Sequence, residues 1–426
     1  MRVLIEPGSY RCQNMGDVAM LQVAARRLTR VLPGAELAVF TGDDARLATH
    51  CPGARPVPSE GRAVWLAERR WLPGGLVGVP GHGVISQRAP AELRRLALSL
   101  ALGLRRRDRR PLTAFLDAFG AAELLVVCGQ GSMGDATARH ASTVLATLEL
   151  AQAAGLPTAM LGQGIGPLIG PRLRARAAAI LPRVNLVALR DGLGGLPLLR
   201  ELGVAPERIV VTGDDAIELA YECGTAEGGA HLGVNIRVSE NAGVEGSAVA
   251  DLREALGRFL AKRRVGVAPL PIAQGSAADA RVLADLIGAL GAASVGSEDL
   301  ARPADVIEQV GHCRIVVTGA YHAAVFALSR GVPAVCLSSS PYYQQKFEGL
   351  RALFGEGCSV VTMDPPGLAD RLSEVLETAW DRSAELRTPL RQAAAAQIQL
   401  GQAAYQRLAA LVARPEPGSR SLAGVS

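Results

Sequence analysis

The chemically suggestive residues of this chain cluster at the ends of short apolar runs. Leu124–Val127 leads into Gly129-Gln130-Gly131-Ser132-Met133-Gly134-Asp135, and Thr158–Leu161 leads into Gly162-Gln163-Gly164-Ile165-Gly166-Pro167. Glycine turns of this kind free backbone N–H groups from side-chain bulk, which is what cradling a phosphate or carboxylate requires. They can equally be tight strand-to-helix connections. The dinucleotide fingerprint also needs an acidic residue about twenty positions on, at the end of the next strand. The nearest here, Glu149, falls in a helical stretch, which argues against a nicotinamide cofactor. The sequence contains no GxxxxGK[ST] phosphate loop, which argues against an ATPase cradle.

Charged and titratable residues occupy similar junctions. Asn14-Met15-Gly16-Asp17 opens the first helical stretch, where Asn14 or Asp17 can act on a ligand or simply cap the helix. Arg190-Asp191 follows Leu186–Leu189, and Asp214-Asp215 follows Ile209–Thr212. Paired aspartates suit a divalent metal, although an aspartate after a strand also caps helices, and no metal is expected. In the second half, Ile315–Thr318 runs into Gly319-Ala320-Tyr321-His322, which places an imidazole for acid–base work near neutral pH. Tyr342-Tyr343-Gln344-Gln345-Lys346 follows the run Ala334–Leu337; Lys346 and Lys262 are the only lysines among 45 basic residues.

The elements positioning these residues alternate from end to end. Val3–Ile5, Glu36–Phe40, Leu124–Cys128, Thr158–Leu161, Leu186–Leu189 and Ile209–Thr212 are separated by helical stretches, as are Leu232–Ile236, Val265–Pro269, Ala293–Val295, Ile315–Thr318 and Ala334–Leu337. Continuous Val/Leu/Ile runs between helices predict parallel sheets covered on both faces. The expected fold is α/β, with two Rossmann-like doubly wound domains facing a cleft. The first spans 1–222, with an irregular insertion at 52–120, and the second spans 230–382. The small polar stretch 223–230 joins them as a flexible linker, a helix at 383–412 crosses back, and 413–426 is a flexible tail.

Composition narrows the function further. The 426 residues are 49% apolar and 20% charged, with a net charge of +5, which is globular and too weakly basic to indicate a nucleic-acid partner. Seven scattered cysteines without a CxxC pattern predict reduced thiols and a cytoplasmic protein. The N-terminus lacks the features of a signal peptide, and no apolar run is long enough to span a membrane. The arginine-flanked stretch 94–110 is either a solvated surface helix or a peripheral membrane contact.

In order, NMGDVAML, VVCGQGSMGD, LGQGIGP, ALRD with LRELGV, VVTGDDA, VVTGAYHAAVFALSRGVPAV and YYQQK resemble the polysaccharide pyruvyl transferase family, over about residues 5–350 but not 52–120. The resemblance implies a two-domain GT-B-like fold and transfer of a pyruvyl group from phosphoenolpyruvate, as co-substrate, to hydroxyls of a sugar or glycan acceptor. It places the donor near Arg190 and His322. On that premise Arg190, Arg237, Gly131, Gly164 and Lys346 are the donor-binding candidates, and His322, Asp17 and Asp214 the catalytic ones. Asn14 and Gln163 are the acceptor-binding candidates. The sequence departs from the family at Ala320, where an arginine usually stands. Either another arginine, such as Arg237 or Arg314, compensates, or the scaffold serves a glycosyltransferase with a nucleotide-sugar donor.

Overall fold

A computed structural model describes residues 1–65, 108–226, 228–236, 246–275, 279–297, 300–364 and 366–413. The first half builds one parallel sheet from β1 (Arg2–Glu6), β2 (Glu36–Thr41), β3 (Arg55–Pro58), β4 (Leu124–Val127), β5 (Thr158–Gln163), β6 (Leu186–Leu189) and β7 (Ile209–Val211), in the order β3-β2-β1-β4-β5-β6-β7. The second builds another from β8 (His231–Asn235), β9 (Val267–Pro269), β10 (Cys313–Thr318), β11 (Ala334–Ser338) and β12 (Cys358–Thr362), in the order β12-β11-β10-β8-β9. The central strands are apolar on both faces because helices cover both; all four residues of β4 and of β6 are buried. These are two doubly wound α/β units.

The helices used below are α1 (Met15–Val31), α2 (Asp44–His50), α3 (Ser59–Trp65), α4 (Arg110–Gly120), α5 (Ala138–Ala153), α6 (Pro171–Ile180), α7 (Gly195–Glu201), α8 (Ala216–Glu222), α9 (Gly246–Arg263), α10 (Asp279–Ala289), α11 (Pro303–Val310), α12 (Tyr321–Ser329), α13 (Pro341–Phe354) and α14 (Leu368–Ala413). One apolar cluster joins the two halves: Met15, Val18 and Leu21 of α1, and Ala216 and Ile217 of α8, share it with Ala323, Phe326 and Ala327 of α12. The backbone reinforces the joint, since Met15 N donates to Ile272 O at 2.9 Å and Gln274 N donates to Gln13 O at 2.8 Å.

Four details differ from the sequence expectation. Within 52–120, β3, α3 and α4 are regular. Pro56 and Pro58 make RPVP read as a loop, but β3 lies at the sheet edge and pairs only with β2, where a missing N–H is tolerated. Ala293–Val295 makes only an isolated bridge from Ser294 to Val267. β12 extends the second sheet in register with β11, and CSVVT carries the β-branched residues that mark it. The connection at 223–230 is tied to the second half: Ala226 N donates to Arg330 O, and Arg330 donates to the carbonyls of Cys223 and Gly224.

Helix α14 runs unbroken past residue 382, with Pro389 inside it, and ends against the first half. There a buried ion network forms. Arg27 of α1 pairs with Asp215 and Glu218 at 2.6 Å each, and Tyr405 of α14 donates to Asp215 at 2.7 Å. Burial pushes the Glu218 carboxyl up, but Arg27 outweighs it and holds the group below the ordinary range. Arg27→Ala leaves the buried Asp215 carboxylate without its counter-charge and Glu218 with Arg26 alone, and is expected to cost about 3–5 kcal/mol, measured by urea unfolding. A loss within 0.5 kcal/mol, about that of an ordinary surface substitution, would contradict it.

Among the described residues no helix is long and apolar enough to cross a membrane, and all seven cysteines are free. Most of the 94–110 stretch lies outside the described residues, as does Arg237.

Candidate active site

The carboxyl edges of the two sheets face each other, and Arg190, Lys346, Asp214 and His322 come together there. Arg190 leaves the end of β6 and is 1% exposed. Its guanidinium occupies the space that side chains on two glycines would fill. A Cβ on Gly131 would lie 2.8 Å from Nη2, and one on Gly164 would lie 2.7 Å from Nε. Both glycine turns are therefore needed to admit the arginine, not only to free backbone donors. On the opposite side the Arg190 Cζ stacks over the Tyr321 ring at 3.8 Å.

Among the described residues, Nε and Nη2 of Arg190 are buried without a hydrogen-bond partner. Its contact with Asp214 is loose, with Nη1 3.8 Å from Oδ2. A buried, always-charged group with orphaned donors is costly unless a ligand completes it. An anion of carboxylate or phosphate geometry would do so.

Helix α13 brings the second cation. A Cβ on Gly131 would also lie 2.9 Å from Lys346 Nζ, so Arg190 and Lys346 flank one glycine from different domains. Tyr342 anchors this corner by donating to Gly131 O at 2.6 Å, and Lys346 bonds the Tyr342 hydroxyl. Helix α13 is seated on the loop after β6, where a Cβ on Gly349 would fall 2.6 Å from Asp191 Cγ.

His322 is 7% exposed and packs its ring on Gly16, where any Cβ would overlap it. Its Nε2 stands 3.6 Å from Asp214 Oδ2, just beyond hydrogen-bond length, and both atoms lack a partner among the described residues. Asp214 Oδ1 accepts the Ala216 N–H at 2.9 Å, which fixes the carboxylate. Burial pushes the Asp214 carboxyl up, yet His322 and then Arg190 outweigh it and hold it below the ordinary range. The opposite balance holds at Asp17: burial raises its pKa, and His322 and His140 only partly oppose that.

The two remaining predictions fare differently. Asn14 is a helix cap, its Oδ1 accepting from Gly16 N at 3.0 Å and Asp17 N at 3.2 Å. Gln163 was expected to meet the acceptor, but it is fully buried. It donates to the carbonyls of Val127, Cys128 and Leu161 and so ties the two glycine turns together. Asp215 faces away from Asp214 into the Arg27 network, so the aspartate pair does not converge on a cation; no metal-holding cluster occurs among the described residues. Arg314 does not replace the missing arginine. It donates to Trp380 O and Ser383 Oγ on the far side of β10. Tyr321, Tyr342 and His140 contribute beyond the predicted set. The first two were visible only as neighbours of His322 and Lys346 in the motifs.

Two doubly wound domains with a ligand site between their carboxyl edges define the GT-B architecture. A sequence model described as polysaccharide pyruvyl transferase matches residues 14–341, and the chain belongs to that family. It is thus a transferase. Solved structures share the fold at low identity. Os79 from O. sativa, in complex with U2F and trichothecene, is 13% identical with a TM-score of 0.55, over 96% of this chain and 100% of that one. A glycosyltransferase from Rickettsia africae is 10% identical with a TM-score of 0.54, over 97% and 99%. Anabaena Alr3699/HepE in complex with UDP is 14% identical with a TM-score of 0.51, over 97% and 100%. No curated protein sequence matches the chain.

Proposed function

We propose that the enzyme transfers a pyruvyl group from phosphoenolpyruvate to hydroxyls of a sugar in a glycan or glycoconjugate. The observation that carries this is Arg190, buried with Nε and Nη2 unpaired beside Lys346. The pair replaces the charge that Ala320 does not supply. Gly131 and Gly164 admit the donor's anionic groups to these cations.

The chemistry requires three transfers. The sugar oxygen bonds to C2 of phosphoenolpyruvate as the C2–C3 π electrons take a proton at C3, making the methyl group. The hydroxyl proton passes to a base. The C2–O bond to phosphate then breaks, its electron pair leaving with the phosphate, and a second hydroxyl adds to C2 to close the ketal, its proton departing on the phosphate as hydrogen phosphate. In this scheme His322 protonates C3, Asp214 orients its imidazole, and Asp17 accepts the hydroxyl proton. Asp17 suits a base because its raised pKa makes its carboxylate more basic than an ordinary one.

Asp17 must be deprotonated to act, so kcat/KM is expected to fall as pH drops through its raised pKa. The acidic limb should lie above the ordinary carboxylate range and be lost in Asp17→Asn. A limb unmoved in that variant assigns the base elsewhere.

The donor is tested by titration calorimetry with phosphoenolpyruvate, using UDP and UDP-sugars as comparators. Saturable phosphoenolpyruvate binding is expected. UDP binding without it would make the chain a nucleotide-sugar glycosyltransferase on the same scaffold.

A further inference from the structure

A cavity of about 600 Å³ opens in the first half between α3 and the start of α5, within the size range of small-molecule sites, about 300–1,000 Å³. Tyr10, Ser59, Glu60, Thr137, Arg139 and His140 line it. We propose that this cavity seats the acceptor as an uncharged pyranose ring, and that His140 and Tyr10 shape it for that ring. This rests on the proposal that the enzyme acts on a sugar, and it adds where the sugar sits and which residues select it.

Internal contacts hold the wall in place. Arg62 pairs with Glu6 in the interior and lies over the Tyr10 ring, Cζ 4.7 Å from the centroid, while Tyr10 donates its hydroxyl to Glu6. The Tyr10 hydroxyl is thereby occupied, and its ring is left as an apolar wall 5.7 Å from the His140 ring. Arg62, the one buried charge in the lining, is neutralised by Glu6. Glu60 and Arg139, exposed and of opposite sign, stand at the surface. Hydroxyls, an imidazole and an aromatic wall without net buried charge match a polyol ring better than an anion.

The cavity also connects to the chemistry. His140 is hydrogen-bonded to Gln130, which Ser132 also reaches at 2.9 Å, so its wall is the glycine turn that flanks Arg190. A Cβ on Gly8 would lie 2.9 Å from Gly129 O and 3.2 Å from Asp17 Cγ, so Asp17 sits beside the same glycine turn that His140 buttresses.

The experiment is saturation-transfer NMR on the full chain with methyl pyranosides of glucose, galactose and mannose and their 2-acetamido forms, alongside phosphoenolpyruvate calorimetry. At least one glycoside is expected to bind. Ala136→Trp at the cavity mouth, an exposed position, should weaken it about tenfold or more. His140→Ala should do likewise, with phosphoenolpyruvate affinity kept within about twofold. If no glycoside binds, or binding persists unchanged in Ala136→Trp, the cavity is not the acceptor site, whatever phosphoenolpyruvate does. If a glycoside binds and is lost in Ala136→Trp while phosphoenolpyruvate fails to bind, the cavity assignment stands and the donor proposal falls.

Discussion

Arg190→Ala is expected to remove phosphoenolpyruvate binding, with a loss of about 2–5 kcal/mol, or roughly 30- to 5,000-fold in Kd. The size follows from burial. The guanidinium sits at 1% exposure against Gly131 and Gly164, so its bonds to an anion would form out of water, where a charged donor counts most. Arg190→Lys should recover little, because an ammonium neither stacks on Tyr321 nor presents two parallel donors. Stability separates this role from a structural one. A buried arginine kept for folding loses about 3–5 kcal/mol on truncation, as expected for Arg27. Arg190 has two nitrogens without a partner, so Arg190→Ala should unfold no earlier than the parent in urea. Unchanged phosphoenolpyruvate affinity in Arg190→Ala, measured by calorimetry, would remove the arginine from the donor site.

His322→Ala should lower kcat by about 10²–10⁴ while phosphoenolpyruvate binding changes only a few-fold, because a general acid acts in the transition state and contributes little to ground-state binding. The geometry gives this variant a graded companion. Asp214 stands 3.6 Å from the imidazole and is fixed by the Ala216 N–H, so Asp214→Asn keeps the shape and removes the charge that steadies the ring. Its kcat should fall less than that of His322→Ala. A His322→Ala enzyme with unaltered kcat, measured as phosphate release with any accepted sugar, would rule out the histidine as the proton donor.

Much of the architecture was legible because its signals are local. Leu124–Val127 and Leu186–Leu189 are continuous apolar runs, and that pattern belongs only to elements covered on both faces. β3 escaped because its prolines read as a loop, and only its place at the sheet edge permits them. The arginine, histidine, lysine and glycines of the site were legible as junction residues, since in doubly wound folds ligands collect at the carboxyl ends of strands.

Residue types and junctions alone could not say which side of an element a polar group would face. Asp214 and Asp215 are adjacent in sequence, yet one points at His322 and the other into the Arg27 network. Gln163 stands beside Gly164 but turns its amide into the sheet, and Arg314 lies on the far side of β10. The pairing of Arg190 with Lys346 across Gly131 joins residues 156 positions apart and exists only because α13 is seated on the loop after β6. The alternation of elements, the family and the chemical types at the strand ends are written in the residue order. The tertiary structure decided which of those types share a space, because side-chain direction and the docking of one half on the other depend on contacts between distant segments that no local pattern encodes.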